Sequence, residues 1–110
     1  VSTWHNKSWA LSRYITGKVG ISNVTADKIR AVIHLGRTPY RMRLVTAKGH
    51  ARTLESVADL RRGEPNLFIV QSFGAERVED FIVSMTLETF APLLEAHYKA
   101  TVLPRLQEGE

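Results

Sequence analysis

Tyr40-Arg41-Met42-Arg43-Leu44-Val45-Thr46 changes polarity at nearly every step. Met42, Leu44 and Thr46 point one way and Arg41, Arg43 and Val45 the other. This period of two marks a strand with one buried and one mostly basic face. A second strand is expected at 66–73, where Leu67-Phe68-Ile69-Val70 forms a short apolar run between Asn66 and Gly74. Such a run suits a central strand buried on both sides.

Around these strands the pattern turns helical. Thr25 can cap a helix with its hydroxyl, Asp27 suits the positive end of the helix dipole, and Ile29, Val32, Ile33 and Leu35 supply apolar positions. A helix is therefore expected from about 26 to 35, ended by Gly36 and blocked by Pro39. Lys48-Gly49-His50 makes a turn, and Thr53 can cap a short helix over 54–62 with Leu54, Val57, Ala58 and Leu60 inward. Val78, Phe81, Ile82 and Met85 predict a helix over about 75–89. Pro92 starts or kinks a last helix, in which Leu94, Tyr98 and Val102 fall four apart; Pro104 stops it, and 105–110 frays. Before residue 24 two readings stay open. Trp9, Leu11 and Ile15 fit a strand, and with Tyr14 they also fit a short helix ending at Gly17.

The expected fold is α+β: a single compact domain over 1–110, with a small sheet (at least two strands, about 40–46 and 66–73) packed by about four helices. Apolar residues make up 44% of the 110 and charged residues 24%, the composition of a folded chain rather than a disordered one. No cysteine is present, which removes disulfides, thiol catalysis and thiolate metal sites together. No apolar run approaches the ~20 residues of a membrane span, and the first seven residues lack the apolar core of a signal peptide. A cytoplasmic protein without a membrane partner is the expectation.

Charge is sorted along the chain. From Val1 to Leu54 the bases are Lys7, Arg13, Lys18, Lys28, Arg30, Arg37, Arg41, Arg43, Lys48 and Arg52 and the one acid is Asp27, a net of +9. From Glu55 onward five bases meet ten acids, a net of −5, which leaves the +4 of the whole chain. One face suited to an anionic partner follows from this division. Its densest part is Arg37-Thr38-Pro39-Tyr40-Arg41-Met42-Arg43. Arg41 and Arg43 on one strand face would stand roughly 7 Å apart, close to the phosphate spacing of a nucleic-acid strand. Guanidinium forks suit phosphate, and Tyr40 could stack on a base. The alternative is a solvated strand face whose charges discourage edge pairing.

Other motifs are weaker. Gly17-Lys18-Val19-Gly20 resembles the G-x-x-G loop with which KH domains clamp a nucleic-acid backbone, and with the following Gly20-Ile21 it resembles a helix-hairpin-helix turn. Asn23 and Ser22 depart from the two patterns, and neither family is assigned. Tyr14 and Lys18 have the spacing of a proton-transfer pair, but no dinucleotide-binding fingerprint accompanies them. His5, His34, His50 and His97 stand alone, without metal-ligand spacing. His34 reads as a packed or boundary residue, Trp9 as core, and Trp4 is open. No nucleophile elbow, Walker loop or zincin motif occurs, so no catalytic residue, metal or cofactor is expected.

Three functions follow in order. The first is a small non-enzymatic nucleic-acid-associated protein that contacts DNA or RNA phosphates through Lys18, Lys28, Arg30, Arg37, Tyr40, Arg41, Arg43, Lys48 and Arg52. The second is a protein–protein or homo-oligomeric assembly module, a homodimer for instance, with charge-complementary faces and an apolar contact including Phe90, Leu94 and Tyr98. The third is a small-molecule-binding domain with a pocket drawing on Trp9, Tyr14 or Phe68.

Overall fold

The computed structural model describes residues 3–46, 60 and 66–109. Helix α1 (Thr3–Tyr14) opens the chain and runs into a wide turn over Ile15–Val19. Gly20 closes that turn at φ 89°, its N–H donating to the Ile15 carbonyl at 3.1 Å. Five strands follow: β1 (Val24–Asp27), β2 (Val32–Leu35), β3 (Arg41–Val45), β4 (Leu67–Gln71) and β5 (Ile82–Ser84). They lie in the sheet in chain order. β3 and β4 are parallel, and the other three neighbours are antiparallel. The chain ends in α2 (Leu87–His97), a second wide turn over Tyr98–Val102, and α3 (Leu103–Glu108). These three form one rod over 87–108.

The first correction concerns the sheet and helix count. The described residues form a five-stranded mixed sheet and two helical rods, rather than a small sheet packed by about four helices. The α+β class stands. Strands occur where the alternation at 40–46 and the apolar run at 66–73 place them. The turn at 48–50 and the helix at 54–62 lie outside the described residues, except that Leu60 is buried.

The expected helix over 26–35 is instead the hairpin β1–β2. Asp27 accepts a hydrogen bond from the Arg30 N–H at 3.4 Å, and Ala31 at φ 56° turns the chain back. The turn leaves Ile29, expected to face inward, 98% exposed at its tip. Branched Val32 and Ile33 then pack better on a pleated strand than on a helix. The expected helix over 75–89 breaks up for the same reason. A single tight turn, Val78–Asp80, precedes Ile82 and Val83, which pair with β4, and helix begins only after Thr86. The Thr86 hydroxyl accepts from the Thr89 N–H at 3.2 Å, a side-chain N-cap.

The last helix also differs from expectation. Pro92 lies inside α2, and Pro104 does not end the rod, because it falls in the first turn of α3, directly after the wide turn. A first-turn proline needs no N–H partner there. Residues 105–108, expected to fray, are helical.

Of the two readings left open for the N-terminus, helix prevails. Trp4, Ser8, Leu11 and Ile15 recur at helical spacing and turn α1 onto the sheet. Their core contains Ile33, Leu35, Met42, Leu44, Phe68, Val70 and Phe81. Trp4 ties helix to sheet by donating from Nε1 to the Leu44 carbonyl at 3.0 Å. Trp9 is not core: it lies on the outer side of α1, 59% exposed, with the Arg13 guanidinium over its ring. On the opposite sheet face Leu60 packs with Leu67 and Ile69, against Val45.

Candidate functional site

The register places the basic residues. Arg41 pairs with His34, and Arg43 with Val32, so His34, Arg41 and Arg43 stand together on the sheet face away from α1. Strand alternation thus sorts Met42 and Leu44 into the core and leaves both arginines half-buried. Each arginine already has an interaction partner. His34, expected as a packed or boundary residue, is exposed on this strand face. Asp27, on β1 opposite Val32, adds an acid to the same face.

The other expected contacts divide around this face. Lys28 and Arg30 are exposed in the β1–β2 turn, where Arg30 Nε approaches Asp27 at 3.9 Å. Arg37 is exposed in the β2–β3 turn, at the other end of β2. The four residues of β2 separate these turns by roughly 13 Å. Gly20, Ser22, Asn23, Arg37 and Thr38 line a cleft of about 450 Å³, with Lys18 two residues before it. Tyr40 turns the other way. Its ring stacks on Phe68 at 5.4 Å on the α1 side, so it is occupied within the fold. Lys48 and Arg52 lie outside the described residues.

The Gly17–Gly20 segment is the end of the wide turn, and a strand follows it rather than a second helix. The aromatics named for a small-molecule pocket do not meet. Trp9 lines a cleft of about 370 Å³ with Arg13, Thr16 and Val24; Tyr14 lines a different one of about 190 Å³; and Phe68 is buried. Among the described residues no group of three potential metal ligands comes together, and no helix is long and apolar enough to cross a membrane. At the turn before β5 Arg77 donates to Glu79 at 2.7 Å. That bond holds the Glu79 carboxyl below its ordinary value and the guanidinium above its own, at the exposed surface. Two buried polar atoms at the end of β4, Gln71 Nε2 and Ser72 Oγ, lack a hydrogen-bond partner among the described residues.

Among the described residues, the C-terminal rod carries five of the ten exposed large hydrophobic side chains. Thr89 is buried and Leu93 packs against the core, which fixes the direction in which the rod leaves the body. From Leu94 to Gly109 each residue is exposed except the half-buried Val102 and Leu103, and neither joins the core. Those residues extend roughly 22 Å at helical rise, which accounts for a long axis of 54 Å against 29 and 26 Å across. Leu87, Phe90, Leu94, Tyr98 and Leu106 are all exposed along the rod. The spacing of Leu94 and Tyr98 is plain in the sequence. The continuity of the stripe is not, because it depends on the wide turn. Leu87 and Leu106 are nineteen residues apart, whereas five α-helical turns need about eighteen. The i+5 bond from the Leu103 N–H to the Tyr98 carbonyl takes up the extra residue and returns Leu106 to the line of Leu87 and Leu94.

Comparison with protein-family models, curated proteins and solved structures finds no match to this chain.

Proposed function

We propose that this protein is an interaction module that docks onto another polypeptide through the apolar face of its C-terminal rod. The observation that carries the reading is the stripe of Leu87, Phe90, Leu94, Tyr98 and Leu106, exposed on a helix whose last fifteen or so residues leave the body. Exposed apolar surface gathered in one contiguous band is a mark of contact surfaces, whereas scattered single residues are not. A helix presenting such a band has a ready mode of recognition, by another helix or an apolar groove.

Leu94→Gln and Tyr98→Gln test whether the face is free. Glutamine keeps leucine's helix propensity. At concentrations well below any association, each variant is expected to unfold within about 0.5 kcal/mol of the parent, as surface substitutions do. A loss of about 2 kcal/mol or more, the signature of a core truncation, would mean that the rod packs on its own body.

A second reading, contact with DNA or RNA phosphates, draws on the adjacency of His34, Arg41 and Arg43 and on the exposed bases at either end of β2. Because Arg41 and Arg43 already have partners, Lys28 and Arg37 are the informative pair. Replacing both with Ala should lower the dependence of log affinity on log salt by up to about two units if both touch phosphates. An unchanged slope removes them from any such interface.

A further inference from the structure

We infer that the occupant of the rod's apolar face is a second copy of this chain, paired antiparallel about a two-fold axis near residues 96 and 97; this rests on the docking role proposed for that face. The argument is the symmetry of the stripe. A two-fold contact must match a surface to itself. Reversing the stripe about its centre sends Leu87 to Leu106, Phe90 to the level of the half-buried Leu103, and Leu94 to within one residue of Tyr98, so every apolar position lands within a residue of another. The wide turn makes this possible, since it keeps Leu106 on the side of Leu87.

Charge agrees with that direction. Glu95 and Lys99 lie on one flank of the stripe and pair within the helix at 3.0 Å. In an antiparallel pair the same flanks meet. The reversal brings Glu95 of one copy beside Lys99 of the other, twice, and closes a four-charge cluster across the axis. A parallel pair would instead set the two helix dipoles side by side in the same direction, which is unfavourable. The antiparallel pair also carries the far end of each rod back toward the other body, where Ile82 and Val83 are exposed on edge strand β5 just before the helix. A single helical face is small beside the standard ~800 Å² per partner, so the pair is expected to be reversible at about micromolar concentration.

The chain contains no cysteine, so introduced thiols have no competitors. Leu87 and Leu106 are 76% and 56% exposed, and replacing them leaves the core untouched. Full-length Leu87→Cys and Leu106→Cys chains, mixed at about tenfold above the dissociation constant and gently oxidised, should give the mixed disulfide as the dominant product. Leu87→Cys alone should stay largely unlinked, because its two thiols would lie roughly 28 Å apart, far beyond disulfide reach. Dominant self-linking of Leu87→Cys would overturn the antiparallel arrangement. No linking in any mixture up to about a hundredfold above micromolar concentration would overturn self-pairing altogether. In that case the unfolding of Leu94→Gln separates the two failures. Unchanged stability leaves the face free for a different polypeptide, and lost stability removes the docking role as well.

Discussion

Ala31 carries φ 56° in the β1–β2 turn, a conformation that costs an L-residue with a β-carbon roughly 1–2 kcal/mol and costs glycine little. The residue therefore decides between two readings of its neighbourhood. If 26–35 were a helix, Ala31→Gly would destabilise the protein by about 1 kcal/mol, the usual cost of an interior glycine. In the hairpin the same change relieves strain and is expected to stabilise by about 1 kcal/mol. Urea unfolding of the variant gives the sign directly. Gly36 shows the opposite case. It has φ 60°, and a β-carbon there would sit 2.4 Å from the Ser22 carbonyl oxygen, so the β2–β3 turn depends on glycine both for its dihedral and for the space.

At the level of the element, what was legible depended on whether one period excluded the other. Arg41 to Val45 alternates too strictly to be helical, and Leu67 to Val70 is apolar on both faces, so both strands could be read directly. Val32, Ile33 and Leu35 fit a helix face as well as a strand, and the cue that decides between them is a positive φ at Ala31, which an alanine does not advertise. Ile82 and Val83 were ambiguous in the same way, since only pairing with β4 selects the strand. In the C-terminal rod Pro104 reads as a stop and is not one. A proline usually ends a helix by lacking an N–H donor, but the wide turn before Pro104 gives it a first-turn position where none is needed. Of the candidate contacts, Arg41 and Arg43 could be placed on one face from alternation alone. The turning of Tyr40 onto Phe68 could not, because it depends on a neighbour twenty-eight residues away.

For the whole molecule, the sorting of charge does not become a single basic patch among the described residues. Among the described bases of the first half, Lys7 and Arg13 lie on α1, Lys28, Arg30 and Arg37 at the two ends of β2, and Arg41 and Arg43 on the sheet face between those ends, which also holds Asp27. The more contiguous surface is apolar and belongs to the acidic half of the chain. Its spacing was visible at Leu94 and Tyr98, but its exposure was not, because sequence does not say whether an amphipathic helix folds back onto its own sheet. Apolar and ionic association respond differently to salt, since charge contacts are screened and apolar burial is not. Sedimentation velocity of the full chain, over a range of protein concentrations at about 0.05 M and about 0.5 M salt, therefore tests the account most directly. The expected result is a reversible monomer–dimer equilibrium that persists at high salt and is lost in Leu94→Gln. A monomer at every concentration, or a dimer that dissolves in salt and survives Leu94→Gln, would contradict it.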